Sequence, residues 1–240
     1  MLEAIRDGVA RGPSGERFAL ESVRVLAPIQ PGKLLCSGIN YHGHFAENPN
    51  AKMPSEPFFF AKLPNAVIGP NTPIHKGHTE QLDYEVEFAV VVGQRLERYS
   101  NSEQAIKAIF GYTILNDVSA RDVQFRENQI TLGKNFDGFA PIGPCIVTKD
   151  ELPHPERARL RSILNGSVMQ DGTNEDWIFP LGTLLSSLSR AMTLEPGDIV
   201  STGTPRGVGV FQNPPVFMRV GDLITLEIEG IGRLENRIVA

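Results

Sequence analysis

The sequence predicts an α+β protein that is mainly β. Three observations carry this. The chain holds 23 Gly and 18 Pro in 240 residues, so turns are frequent and the elements between them short. Apolar, β-branched runs of strand length recur along it, as in Ala89-Val90-Val91-Val92 and Ile199-Val200-Ser201. Only two longer segments, 102–109 and 182–192, carry the 3.6-residue period of an amphipathic helix.

Residues 1–32 form a modest preamble. Short strands are expected at 17–20 and 23–26, with Pro28 and Pro31 marking the exit, so this part reads as a small strand-rich cap on a main domain spanning 33–240. The first strand of that domain covers 33–38. A polar stretch follows with His42, His44 and Glu47, and it stops at Pro49. One helical turn there places His44 and Glu47 on one face at i, i+3. A carboxylate beside an imidazole fixes its tautomer and raises its basicity, as a general base requires. A surface loop with an incidental His and Glu is the other reading of the same residues. Residues 57–62 read as a buried strand ending in Lys62. The loop carrying His75, His78 and Glu80 reads as solvated.

Residues 83–93 hold three carboxylates at alternate positions before an apolar run closed by Gly93. In a strand, residues two apart share a face. Asp83, Glu85 and Glu87 then point one way and Tyr84, Val86 and Phe88 the other. Like charges on one face indicate either a cation between them or a wet face.

Next comes a helix at 102–109 with Ser102 as its N-cap, then a strand at 110–115. This strand delivers Asn116 and Asp117 into a polar turn containing Arg121 and Gln124. Asp117 is therefore either a strand-end site residue or a cap for that turn. Lys134 follows Gly133 ahead of an aromatic stretch, and the glycines around it lack phosphate-loop spacing. Asn165-Gly166 marks a type I′ hairpin within 160–172. The better amphipathic helix covers 182–192. A strand at 199–202 runs into the glycine-rich loop 203–209, where backbone amides and the Thr204 hydroxyl are suited to a carboxylate, though a plain tight turn fits too. Strands near 223–228 and 234–239 close the chain.

Composition narrows the function classes. A net charge of -5 with 41% hydrophobic residues argues for a well-cored protein and against nucleic acid as the partner. No apolar run is long enough for a membrane helix, and residues 1–7 lack a secretory pattern. Cys36 and Cys145 are far apart in apolar settings and read as buried free thiols, which places the protein in a reducing cytoplasm. Glu85, Glu87 and Asp117 are hard oxygen donors suited to Mg²⁺ or Mn²⁺, and to Ca²⁺ with looser geometry. Zinc would want His or Cys among the ligands. Three carboxylates around a divalent ion leave one negative charge for Lys134 to balance. Three coordination positions remain open for a chelating 2-oxo acid.

Five segments, taken together and in order, resemble the fumarylacetoacetate hydrolase family. They are Gly38-Ile39-Asn40-Tyr41 with His44 and Glu47; Asp83-Tyr84-Glu85-Val86-Glu87; Asn116-Asp117-Val118-Ser119-Ala120-Arg121-Asp122-Val123-Gln124; Gly133-Lys134-Asn135-Phe136-Asp137; and 202–209. The resemblance implies a rolled mixed or antiparallel β-structure, commonly a homodimer, acting on a small 2-oxo acid. It implies Mg²⁺ or Mn²⁺ on Glu85, Glu87 and Asp117. It places Lys134, Arg121 and Gln124 around the substrate and Thr204 on the substrate's carboxylate. His44 and Glu47 match a lid-borne dyad that activates water. Asp83 matches no ligand position and is expected near the rim or behind the ligands. His42 stands where it competes with His44 as base. The segment 37–41 contains no acid, which matches the three-carboxylate branch acting on acylpyruvates. The large N-terminal domain of some relatives has no counterpart in the short preamble. The activity implied is metal-dependent C–C hydrolysis of a 2,4-dioxo acid through an enolate. Decarboxylation, isomerisation or hydration of a 2-oxo diacid through the same enolate is the alternative, and a silent metal-binding relative the more distant one.

Overall fold

The structure, a computed structural model, describes residues 7–8, 10–13, 15–47, 52–126 and 130–240. Asn48 and Pro49, where the polar stretch was expected to end, lie outside them. The strands in chain order are β1 (Leu34–Ser37), β2 (Phe59–Lys62), β3 (Val67–Ile68), β4 (Ile74–His75), β5 (Leu82–Asp83), β6 (Val86–Val92), β7 (Ile109–Asn116), β8 (Ser119–Ala120), β9 (Ala140–Thr148), β10 (Arg159–Leu164), β11 (Ser167–Thr173), β12 (Ile199–Ser201), β13 (Leu223–Ile228) and β14 (Gly232–Val239). A seven-stranded sheet runs β2-β1-β12-β6-β7-β9-β3. A five-stranded sheet runs β11-β10-β13-β14-β4, and β5 pairs with β8 as a small ribbon. Three pairings are parallel, β1 with β12, β3 with β9 and β4 with β14, and the others are antiparallel. The architecture is thus the mixed, mainly β structure expected.

β10 and β13 of the second sheet pack against β6 and β7 of the first. Every residue of β6 and β7 is consequently buried, which explains their continuous apolar runs in place of alternation. The helix Leu181–Ala191 buries Leu181, Leu184, Leu185 and Leu188. The helix Ser102–Ala108 is capped by Asn101 and not by Ser102 as expected. The Asn101 side chain accepts from the Gln104 amide at 2.9 Å, and the Gln104 side chain accepts from the Asn101 amide at 2.8 Å. That reciprocal box needs a three-residue spacing to Gln, which Asn101 has. At the hairpin tip Asn165 and Gly166 take φ of 50° and 86°, the type I′ geometry anticipated.

Two expectations are corrected. Residues 17–20 and 23–26 do not form strands; a short 3-10 turn at Leu20–Ser22 stands between them. Phe18, Leu20 and Leu26 are exposed; no sheet strand pairs with these residues, and strand propensity without a partner gives no strand. Cys145 is exposed, while Cys36 is buried, and both are free. The second half of β9, after Ile142-Gly143, leaves the core and carries Cys145 outward. No helix among the described residues is long and apolar enough to cross a membrane.

Candidate active site

The site grows from the ends of β6 and β7. Their register sets Val86 opposite Asn116 and Glu87 opposite Leu115. Just beyond it, the Asp117 amide donates to the Glu85 carbonyl at 3.0 Å and the Glu85 amide to Asn116 Oδ1 at 3.2 Å. Glu85, Glu87 and Asp117 are thereby gathered at one end of two rigid, paired strands. β12 lies beside β6 and brings Ser201, which donates to Glu87. β1 pairs with β12 and aligns Cys36 with Ser201.

Ligand atoms of Cys36, Glu87 and Asp117 lie within 4.8 Å of one another. Glu85 stands next to this group but is held by cations. Arg121 Nη2 donates to its Oε1 at 2.6 Å and Lys134 Nζ to its Oε2 at 2.8 Å. The same Lys134 Nζ reaches Asp117 Oδ2 at 2.6 Å, so an ammonium already bridges two of the three carboxylates. A second lysine, Lys62, approaches Asp117 Oδ1 at 2.6 Å with its side chain fully buried. It also directs protons at the carbonyls of Val118 (3.0 Å) and Phe139 (2.5 Å), so its three donors are shared between those carbonyls and the Asp117 carboxylate.

The charges are tuned by burial and by one another. For Glu85, burial would raise the pKa, but Lys134 and Arg121 hold the carboxyl far below the usual range. Glu87 has no such cation on it; burial, then the charges of Asp117 and Glu85, push its pKa well up. Lys134 is also opposed by burial, and the carboxylates of Asp117 and Glu85 overcome this and raise it. Burial dominates at Lys62 and lowers its pKa.

These features fit a divalent cation. The donors are mostly hard oxygens, and ligand atoms of Cys36, Glu87 and Asp117 converge within 4.8 Å. Glu87 is destabilised as an anion by burial and by its neighbours, which a doubly positive ion would relieve. Glu85, Glu87 and Asp117 would hold it, and Cys36 Sγ lies close to the last two.

Around this wall is a cavity of about 210 Å³. His44, Arg121, Gln124, Lys134 and Thr204 line it with Glu85 and Glu87. His44 sits on the helix His42–Glu47 with Nδ1 3.0 Å from Glu47 Oε2, leaving Nε2 for chemistry. Glu47 Oε1 accepts from the Gly207 amide at 2.6 Å, and Asp176 Oδ2 accepts from the Gly43 amide at 2.7 Å. The helix is thus tied over the cavity at both ends. His42 is exposed and does not line the cavity, so it does not compete with His44.

Asp83 takes the second of its two expected places, behind the ligands and not at the rim, and it lies off the acidic face that strand alternation would give it. The chain leaves the strand at Tyr84 and Glu85, between β5 and β6, and strict alternation fails there. Asp83 turns inward, accepts from the Gly209 and Val210 amides at 2.8 and 3.0 Å, and takes a 2.8 Å bond from Arg121 Nε. Thr204 does line the cavity, but its hydroxyl donates to the Val86 carbonyl at 2.9 Å and stands 2.7 Å from Gln170 Nε2. Its proton is committed to the protein.

Comparison with known proteins joins this geometry to a family. The family model described as the fumarylacetoacetate hydrolase C-terminal domain matches residues 33–239. The chain belongs to the fumarylacetoacetate hydrolase family. Among its relatives within that family is a fumarylacetoacetate hydrolase domain-containing protein 2 homolog of Dictyostelium discoideum, 44% identical over 94% of this chain and 77% of the relative. Oxaloacetate tautomerase YisK of Bacillus subtilis is 43% identical over 92% of this chain and 75% of its own length. Among solved structures, 5-carboxymethyl-2-hydroxymuconate delta-isomerase from Mycobacterium smegmatis superposes with a TM-score of 0.82 at 38% identity, covering 94% of this chain and 86% of that one.

Within this fumarylacetoacetate hydrolase-family site, sequence reasoning missed the parts played by Lys62 and Gln170. The buried strand expected at 57–62 is corrected: β2 is an edge strand, Ala61 and the preceding Phe58 are exposed, and Lys62 alone in it is buried. Gln170, which also accepts from the Val86 amide at 3.0 Å, lies in a hairpin strand with no local mark of its importance.

Proposed function

We propose that this protein is an enolising isomerase of 2-oxo acids, a keto–enol tautomerase, and not primarily a C–C hydrolase. The observation that carries the reading is the placing of His44, backed by Glu47, in the same cavity as the Lys134–Glu85–Asp117 wall. Base and electrophilic wall face one small substrate. The relatives support isomerisation over cleavage, since one is named an oxaloacetate tautomerase and another a hydroxymuconate isomerase.

In this reading, Glu85, Glu87 and Asp117 would hold Mg²⁺ or Mn²⁺, which would supply Lewis acidity toward the substrate's 2-oxo oxygen when bound. Lys134 offsets negative charge developing on that oxygen. His44 Nε2 takes the proton from C3 and a proton is delivered to the 2-oxo oxygen, with Glu47 holding the imidazole in one tautomer; ketonisation runs the same transfer in reverse. Arg121, fixed by Asp83 and Glu85, keeps Gln124 in place through a 3.0 Å bond to its Oε1. The proton transfer needs no water, whereas hydrolysis asks the same dyad to deprotonate one. The homodimer and the cytoplasmic setting that the sequence suggests belong to this reading as proposals. Sedimentation at twice the chain mass is the expected result for the dimer.

The test follows the enol absorbance of freshly dissolved oxaloacetate with Mn²⁺, alongside product analysis of acetylpyruvate. The expected outcome is rapid loss of enol without release of carbon dioxide, and slow or no cleavage of acetylpyruvate. Fast formation of pyruvate and acetate, with no effect on the enol, would reinstate the hydrolase.

A further inference from the structure

We propose that the cavity also accepts arylpyruvates, 2-oxo acids carrying an aromatic ring on C3, and interconverts their keto and enol forms. This rests on the tautomerase reading and extends it to a substrate class. The cavity is lined by two chemically different sets of side chains. One is the charged wall already described. The other is made by Ile39, Phe58, Phe125, Ile130 and Phe211. Phe58 is 47% exposed and Phe125 60%, so two phenyl rings at the mouth retain apolar surface for an incoming group to cover.

Arg121 and Lys134, which also line the cavity, bind carboxylates of the protein. An aromatic ring set against the apolar lining gains ring–ring contact and burial. The cavity of about 210 Å³ is many times the roughly 10–15 Å³ needed to hold one water.

The backbone is shaped for this arrangement. The Phe58 ring rests on Gly38, where a Cβ would overlap its Cζ and Cε atoms. Gly38 also lines the cavity, and its amide donates to the Phe58 carbonyl at 3.0 Å. The missing side chain at Gly38 lets the ring reach the mouth. The reaction is balanced without a co-reactant: one C3–H bond breaks, one O–H bond forms on the C2 oxygen, and His44 carries the proton.

The experiment measures ketonisation of enol phenylpyruvate and of enol oxaloacetate by the Mn²⁺-loaded protein, in wild type and in Phe58→Ala, Phe125→Ala and Gly38→Ala. Wild type is expected to accelerate both reactions. In each variant the ratio of kcat/KM for phenylpyruvate to that for oxaloacetate is expected to fall about tenfold, the scale of one lost aromatic contact with its burial. Turnover of oxaloacetate with no acceleration of phenylpyruvate would overturn the inference and leave the tautomerase standing. No turnover of either substrate would instead remove the reading beneath it. A ratio unchanged in all three variants would show that the aromatic mouth does not bind the ring, and would also overturn the proposal.

Discussion

Lys62 holds its ammonium fully buried, 2.6 Å from Asp117 Oδ1 and within bonding distance of two carbonyls. With Lys134 on the other oxygen, Asp117 sits between two cations. Removing one partner of a buried pair leaves an uncompensated charge and costs about 3 kcal/mol. Lys62→Met is therefore expected to lower stability by about that amount in a denaturant titration. A change under about 0.5 kcal/mol, the range of surface substitutions, would show that the ammonium does not support Asp117. At this scale the sequence was legible where strand period and residue type agreed, as for Glu87. It misled at Asp83, because the alternation rule assumes an unbroken strand and the chain leaves the strand at 84–85. Thr204 was placed at the cavity, but its hydroxyl bond to Val86 depends on a strand crossing that no local pattern reveals.

The helix His42–Glu47 carries the proposed base and has two ties, Glu47 to the Gly207 amide and Asp176 to the Gly43 amide. Six residues are too few for an isolated helix to hold its shape, so these ties position His44. Asp176→Ala is expected to reduce kcat/KM about tenfold and to speed amide hydrogen exchange across 42–47, with no loss of cation binding. Unchanged exchange in that segment would contradict the tie. Gly203 has φ of 84°, and a Cβ there would stand 2.8 Å from the Gly38 carbonyl. Gly203→Ala combines strain with that overlap and is expected to cost about 2 kcal/mol, read as a lower Tm. The long strands and the 181–191 helix were legible because each holds enough residues to show a period. The two-residue strands β3, β4, β5 and β8 show none, and the strands expected at 17–20 and 23–26 had propensity but no partner.

Among the buried charges gathered at the site, four acids, Asp83, Glu85, Glu87 and Asp117, face three cations, Lys62, Arg121 and Lys134. The unmatched charge falls on the group that gathers around Glu87. A bound divalent cation stabilises the folded state by mass action, by about 2.7 kcal/mol at a hundredfold excess over Kd. Mn²⁺ is expected to raise Tm, chelation to reverse the rise, and Glu87→Ala to abolish it. An equal rise in Glu87→Ala would place the ion elsewhere. The family, the fold and the residues of the cavity could be read from the order of the motifs. The choice between hydrolysis and isomerisation could not, because a histidine held by a glutamate can take a proton from water or from carbon. The residue types are the same in both cases, and the relatives tip the balance.

The central claim is that His44 moves a proton at C3 of a 2-oxo acid held against the carboxylate wall. Its most direct test is proton NMR of oxaloacetate in deuterium oxide with the Mg²⁺-loaded protein. The account predicts that the C3 proton signal washes out much faster with wild type than with His44→Ala, while the carbon skeleton stays intact. Cleavage products without C3 exchange, or exchange equally fast in His44→Ala, would contradict it.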